Sequence, residues 1–226
     1  MELKYKGKTK DVYALPNGDY MLKFKDDVTG ENGVFDPGAN TVGLSIDGVG
    51  KAGLKMTAHF FKLLNEKGVK THFVDADIEN TTMTVKPATV FGKGLEVICR
   101  FVAVGSYIKR NGAYIEAGTP LPAYAEITIK DDDRGDPLIN KEALDVLGIL
   151  SPAEYDEITS MTRNISTVIR DELAKMGLSL YDIKLEFGRV NGEVYLIDEI
   201  SGGNMRVFQG DRAIEPLELS AMIVGK

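Results

Sequence analysis

Three acidic residues at the ends of two neighbouring segments are the clearest sign of chemistry in the sequence. Glu186 lies in KLEFG, and Asp198 and Glu199 lie in LIDEI. The Asn191-Gly192 pair between these segments predicts a β-hairpin, so acids on its two arms can lie side by side. Facing carboxylates repel unless a cation or a lysine lies between them. Mg²⁺ fits, because one or two carboxylates and substrate phosphates hold it. In the alternative, Asp198 or Glu199 points to solvent, since strand neighbours face opposite sides.

Two basic segments could bind phosphate. KYKGKTKDVY places four lysines around one glycine, and glycine lets a backbone approach a ligand whose phosphate oxygens the lysines neutralise. A solvated basic edge strand is the alternative, since lysines protect sheet edges. CRFVAVGSYIKR places Arg100, Ser106, Lys109 and Arg110 around a glycine turn, which fits a phosphate clamp or ordinary surface charge.

Composition narrows the class of protein. The chain has 226 residues, 27 basic and 34 acidic, with a formal charge of −7, which argues against nucleic acid or an anionic membrane as partner. The single cysteine, Cys99, cannot form an internal disulfide, and this fits a reducing compartment. The N-terminus has no apolar signal segment and no run reaches the length of a membrane span. We therefore expect a cytoplasmic protein.

The order of predicted elements favours a mixed α+β fold with two lobes rather than a doubly wound sheet. A hairpin is predicted around Asn17-Gly18, followed by a long glycine-rich loop, Thr29 to Gly53, and by a helix, Leu54 to Gly68. Ser151, Pro152 and Glu154 predict the capped start of a long helix that ends at Gly177. The lobes are expected at residues 1–88, a β-rich lobe, and 89–226, a larger α+β lobe.

Eight segments, in this order, make the chain resemble a known family. They are YKGKTKDVY, FKDDVTGENG, THFV, LEVICRFVAVGSYIKR, GTPLP, KDDDRGDPLIN, IKLEFGRV and IDEISGGNMR. They resemble the phosphoribosylaminoimidazole-succinocarboxamide synthase (SAICAR synthetase) family of purine-pathway ligases. The resemblance implies a two-lobed α+β fold with an N-terminal antiparallel sheet and ATP in the cleft. It also implies that a carboxy-aminoimidazole ribotide is joined to the amine of aspartate through an acyl phosphate.

The resemblance also implies roles for particular residues. Lys8 and Lys10 would hold ATP phosphates, Lys86 would lie near the adenine, and Glu186 and Asp198 would hold Mg²⁺. Arg100, Ser106 and Arg206 would bind the ribotide 5′-phosphate, while Asp136 and Lys184 resemble residues of the substrate pocket and are the expected catalytic pair. If Asp198 faces the metal, Glu199 is expected to point the other way. The partners would be small molecules, and the protein would be a homodimer or a larger homo-oligomer.

Several positions depart from the family pattern on the substrate side. Gly203 replaces an aspartate, Val49 a lysine and Phe101 an asparagine, Gly53-Leu54 replaces two asparagines, and IEPLELSAMI stands where the family has DKDRFR. Three hypotheses follow. The chain is the purine-pathway ligase; or it is a paralogous ligase for another carboxylate or amine; or it is a non-catalytic nucleotide-binding protein, which the retained phosphate and metal groups disfavour.

Overall fold

The structure is a computed structural model that describes residues 1–31, 33–39 and 41–225, without the side chain of residue 31. Its first sheet has five antiparallel strands in the order β1-β2-β3-β8-β7. These strands are β1 (Glu2–Lys6), β2 (Lys10–Ala14), β3 (Tyr20–Phe24), β7 (Phe73–Asp77) and β8 (Thr82–Val85). The predicted hairpin is confirmed, because β2 pairs with β3 across the turn that contains Gly18.

The prediction that Thr29 to Gly53 forms a long loop without regular structure is wrong. This segment carries most of a small antiparallel sheet made of β4 (Asp27–Glu31), β5 (Val34–Phe35) and β6 (Val42–Ser45). A Cβ at Gly43 would lie 2.4 Å from the Gly30 carbonyl carbon, so only glycine permits this approach of the two strands. The glycines that suggested a loop therefore allow a tightly paired sheet.

Helix α1 (Val49–Glu66) begins five residues before the predicted start. Its first turns hold Gly50 and Gly53, which lack the apolar side chains that mark helical periodicity. A Cβ at Gly50 would lie 2.6 Å from the Lys25 carbonyl oxygen, so close packing on the backbone just after β3 explains this glycine. The predicted stop is confirmed, since Gly68 follows the helix with a φ of +80°.

The larger sheet follows the order β11-β10-β12-β14-β15, and β13 and β9 also pair with β12. Its strands are β9 (Thr89–Val90), β10 (Leu95–Val102), β11 (Pro120–Ile129), β12 (Ser179–Val190), β13 (Glu193–Ile197), β14 (Met205–Gln209) and β15 (Arg212–Ala213). The predicted hairpin of β12 and β13 is confirmed. The helices after α1 are α2 (Gly105–Asn111), α3 (Lys141–Val146), α4 (Pro152–Ala174), which packs on this sheet, and α5 (Pro216–Val224), which packs on α1.

The helix ends follow local sequence signals to different degrees. Helix α4 has the predicted capping box, in which Ser151 and Glu154 bond to each other's backbone N–H groups. Helices α2, α3 and α5 were not predicted from the sequence. Asn140 caps α3 and Pro216 occupies the first position of α5, so start signals exist for both.

One hydrophobic core extends through both sheets and joins them. The segment just before β7 also meets β13 through backbone bonds, from Leu196 N to Lys70 O at 2.9 Å and from His72 N to Leu196 O at 3.0 Å. The mixed α+β prediction is confirmed, whereas the division at residues 88 and 89 stays a prediction. Among the helices described, none is both long and apolar enough to cross a membrane.

Candidate active site

A cavity of about 350 Å³ opens where β2, β3 and the start of α1 face β12 and the turn after β13. Its walls combine lysines with carboxylates, and apolar side chains such as Val12, Leu22 and Phe24 line the remaining part. The charged lining residues are Lys8, Lys10, Lys25, Asp27, Lys93, Glu96, Lys130, Asp132, Asp136, Lys184, Glu186, Asp198 and Glu199. Such a surface suits a ligand that carries both phosphates and a metal ion.

Lys10 is the buried cation at the centre of one wall. Its Nζ lies 3.2 Å from Asp198 Oδ1 and also bonds to a carboxylate oxygen of Glu199. Burial works to lower the pKa of Lys10, but the Asp198 and Glu199 carboxylates raise it well above its ordinary value. The ammonium is therefore charged at neutral pH and offsets part of the negative charge of both carboxylates.

The expectation that the Asp198 and Glu199 side chains point in opposite directions is wrong, because both carboxylates contact Lys10 Nζ. Strand β13 ends at Ile197, and Asp198 adopts a left-handed backbone with a φ of +66°. The alternation of faces along a strand stops at this turn. The strained conformation of a non-glycine residue is typical of functional sites.

Glu186 has its own lysine, which the sequence analysis did not identify. Lys130 Nζ lies 2.6 Å from Glu186 Oε1. Burial and the Asp198 charge raise the pKa of Glu186, against the pull of Lys130. Burial also works to raise the pKa of Asp198, but Lys10 and Lys130 outweigh it and hold that pKa below its ordinary value. The only signal for Lys130 was its position just before the acidic turn.

The carboxylates fit Mg²⁺ as part of a nucleotide complex rather than as a cage made by protein alone. Glu186 and Asp198 line the same cavity and interact electrostatically. Among residues 1–31, 33–39 and 41–225, no cluster of three or more His, Cys, Asp and Glu side chains is arranged to hold a metal ion. Two hard carboxylates completed by phosphates and water are the usual environment of Mg²⁺.

His72 lies behind this wall, where burial lowers its pKa to about 4. Its ring is therefore neutral at neutral pH, and its edge packs on the ring of Phe61. It contributes packing rather than a charge. The structural role predicted by its isolated position in the sequence agrees with this.

A second cavity of about 150 Å³ adjoins the first. Glu96, Asp136, Lys184 and Asn204 line both cavities, so the two spaces meet at these residues. Lys184 Nζ lies 2.7 Å from Glu96 Oε1. Burial raises the pKa of Asp136 above its ordinary value. The expected catalytic pair is thus brought together at the junction.

The second cavity contains all three residues expected to bind the ribotide phosphate, Arg100, Ser106 and Arg206. Arg100 is 1% exposed, and its Nη2 donates to Ser106 Oγ at 2.9 Å. Arg206 donates to Asp182 and, from its other terminal nitrogen, to Asp36, each at 2.8 Å. These arginines are held by a network that also includes Glu126 and Arg110.

The two remaining predicted residues lie in different places. Lys8 lines the first cavity and its Nζ lies 2.6 Å from Asp132, which follows β11 of the larger sheet. Lys86 lies outside the lining of both cavities, with its Nζ 5.2 Å above the ring of Tyr195. Its assignment to the adenine remains a prediction.

Comparison with known proteins assigns a family to this arrangement. The SAICAR synthetase family model matches residues 3–218. The chain belongs to the SAICAR synthetase family. It is 57% identical, over 99% of its own length and 100% of the relative's, to the phosphoribosylaminoimidazole-succinocarboxamide synthase of Clostridium tetani. The corresponding synthase of Finegoldia magna is 37% identical over 93% of this chain and 87% of that protein.

Solved SAICAR synthetases share the fold. One in complex with ADP has a TM-score of 0.86 and 31% identity, with 98% of this chain and 97% of that chain covered. The Pyrococcus horikoshii SAICAR synthetase has a TM-score of 0.83 and 29% identity, with 96% and 98% covered. The family and the fold predicted from the eight segments are therefore confirmed.

The departures from the SAICAR synthetase pattern have different surroundings. Gly203, Val49 and Gly53 line the first cavity, whereas Phe101 lies outside the lining of both, with the Arg170 guanidinium 5.0 Å from its ring. Leu54 is fully buried in the core. Only part of this set can therefore touch a ligand from its present position.

Asn204, which follows Gly203, is a site residue that the sequence analysis missed. Its Nδ2 donates to the Lys184 carbonyl at 3.0 Å and to the Glu199 carbonyl at 2.8 Å. Its Oδ1 accepts from Ser201 N at 3.0 Å. The amide thereby ties the turn after β13 to β12. Ser201 and Asn204 form a capping box, which is a local signal, whereas the bond to the Lys184 carbonyl joins residues 20 positions apart.

Proposed function

We propose that the protein is an ATP-dependent carbon–nitrogen ligase of purine biosynthesis that joins a carboxy-aminoimidazole ribotide to aspartate. The observation that carries this proposal is the meeting of two cavities at Lys184 and Asp136. One is lined by lysines and carboxylates, the other by an arginine network. Membership of the SAICAR synthetase family supports it.

ATP would occupy the first cavity, with its phosphates on Lys8 and Lys10. The fold relative that was solved with ADP supports nucleotide binding in this fold. Lys86 would contact the adenine side after a change of rotamer. Glu186 and Asp198 would hold Mg²⁺, which neutralises phosphate charge and aligns the transferred phosphoryl group. Lys10 and Lys130, which neutralise these carboxylates now, would then be available to the phosphates.

The ribotide would place its 5′-phosphate in the second cavity, against Arg206, Ser106 and Arg100. Arg206 is the more accessible arginine, with its side chain 21% exposed against 2% for Arg100. Planar guanidinium groups match phosphate geometry. The ribotide carboxylate would then reach the junction of the cavities beside Lys184.

At the junction, a carboxylate oxygen of the ribotide attacks the γ-phosphorus, and the bond to the ADP oxygen breaks. The aspartate amine next attacks the acyl carbon, and inorganic phosphate leaves. Lys184 neutralises the carboxylate as the two anions approach. The raised pKa of Asp136, which burial causes, suits it to take the proton that the amine loses.

The test is a coupled assay of purified protein with ATP, Mg²⁺, aspartate and the ribotide, read as ADP and phosphate release. Release that requires all components is expected. If ATP binds but nothing turns over, the proposal is wrong. A panel of other amines tests the paralogous alternative, which requires another amine to outperform aspartate. The 57% identity to a curated synthase over the full chain supports the first function over this alternative.

We also propose a cytoplasmic location and a homodimeric or larger assembly, in keeping with the family. Sedimentation velocity of the purified protein measures the assembly. A particle with the mass of the 24.7 kDa monomer at micromolar concentration would contradict it. Fractionation of the source cells tests the location.

A further inference from the structure

Arg100, Asp182 and Arg206 form a row across three adjacent strands. Asp182 lies on the central strand β12, directly paired with Arg100 of β10 on one side and with Arg206 of β14 on the other. Side chains of directly paired residues project to the same face of a sheet. The register therefore places one carboxylate between two guanidinium groups.

Both arginines bond to the same oxygen of Asp182. Arg100 Nη1 donates to Oδ2 at 2.7 Å and Arg206 Nη1 donates to it at 2.8 Å. Asp182 is 3% exposed and lines the second cavity. Charge-assisted bonds of this length in a water-poor site fix the direction of both donors.

The other contacts show why a shared anion is needed. Arg100 Nε and Nη2 donate to Glu126, and Nη2 also donates to Ser106. Arg206 reaches Asp36 with its second terminal nitrogen. Without Asp182, two guanidinium groups would face each other with no anion between them, and like charges at short range repel strongly where water is excluded.

We propose that Asp182 is a positioning residue that holds Arg100 and Arg206 together in the geometry that receives a phosphomonoester. This inference rests on the proposed function, in which these arginines bind the ribotide phosphate. Asp182 would not touch the phosphate, because two anions repel. Its effect would be on ribotide binding and not on ATP binding, which takes place in the other cavity.

The experiment compares the wild-type protein with Asp182→Asn, which keeps the shape and removes the charge. We expect the ribotide KM to rise by about tenfold or more, as for other supports of a binding group, with the ATP KM and kcat within about twofold. An unchanged ribotide KM, or an equal rise of both KM values, would overturn the proposal. Glu154→Gln, which weakens an arginine ion pair outside both cavities, is the matched control and should leave both KM values unchanged.

A second variant and a binding probe complete the test. If Asp182→Asn does not fold, Asp182→Glu keeps the charge but moves the oxygen, and it should raise the ribotide KM alone. If the wild type shows no turnover, the proposed function fails, and calorimetry with ribose 5-phosphate then tests Asp182 separately. Binding to the wild type that weakens about tenfold in the variant supports the inference; equal binding, or none to the wild type, overturns it.

Discussion

Lys130 and Glu186 form an ion pair in the wall of the first cavity, with Nζ 2.6 Å from Oε1. Burial works to lower the pKa of Lys130, but Glu186 and Asp198 raise it well above its ordinary value. The ammonium therefore remains charged and stabilises two neighbouring carboxylates. It thereby places positive charge beside the two carboxylates that are proposed to hold Mg²⁺.

Replacing Lys130 should make stability depend on the metal. We expect Lys130→Met to lower the free energy of unfolding by about 1–2 kcal/mol, because Glu186 then faces Asp198 without its partner. Added Mg²⁺ should restore more stability to the variant than to the wild type. Urea unfolding with and without Mg²⁺ measures both effects. Lys70→Met breaks an exposed pair with Glu193 and should cost about 0.5 kcal/mol or less at either Mg²⁺ level; equal losses in the two variants would contradict the prediction.

Removing Asp36 should improve ribotide binding. Its carboxylate occupies a terminal nitrogen of Arg206, and its side chain is 46% exposed while the other carboxylates of that network, Asp182 and Glu126, are buried. Asp36 is thus the anion that an incoming phosphate can displace. Asp36→Asn should lower the ribotide KM by about threefold and leave the ATP KM unchanged. Initial-rate kinetics measure this, with Asp19→Asn as a surface-charge control; a higher ribotide KM would show that Asp36 supports Arg206 instead.

Gly202 and Gly203 should differ sharply in how much stability the protein loses when each is replaced by alanine. A Cβ at Gly202 would lie 2.6 Å from Pro216 Cα at the start of α5, whereas a Cβ at Gly203 would meet only Ser201 Oγ, at 3.2 Å. Gly202→Ala should therefore destabilise the protein by about 2 kcal/mol, while Gly203→Ala should change stability by about 0.5 kcal/mol or less. Thermal unfolding of both variants is the measurement. Similar losses would mean that the contact with α5 relaxes easily.

Lowering the pH should remove the contribution that Glu154 makes to the free energy of unfolding. The bond from Arg189, together with the Ser151 contacts, lowers the pKa of Glu154 from an ordinary 4.5 to about 2. A lowered folded-state pKa stabilises the protein above the unfolded value, and this contribution is lost as pH falls from about 4.5 towards 2. The stability difference between wild type and Glu154→Gln should shrink over that range. Urea titrations at several pH values test this; a constant difference would contradict it.

Local signals in the sequence predicted the parts of the fold that depend on neighbours along the chain. The Asn191-Gly192 hairpin and the capped start of α4 at Ser151 were correct because turn and cap geometry involve only a few consecutive residues. The sheet of β4, β5 and β6 was missed for the opposite reason. Its glycines are explained only by the strand that approaches them.

The features of the candidate active site also divide into those that the sequence predicted and those that only the folded chain shows. The sequence by itself determined the family, the mixed α+β class and the residue types that line the cavities, because ordered motifs carry that information. Only the tertiary structure decided that Lys130 neutralises Glu186, that Glu199 shares Lys10 with Asp198, and that Asp182 lies between Arg100 and Arg206. Arg206 and Asp182 are 24 positions apart in the sequence. The other pairs join residues that are between 56 and 189 positions apart. Strand register and a left-handed turn at Asp198 set such contacts, and both are properties of the folded chain.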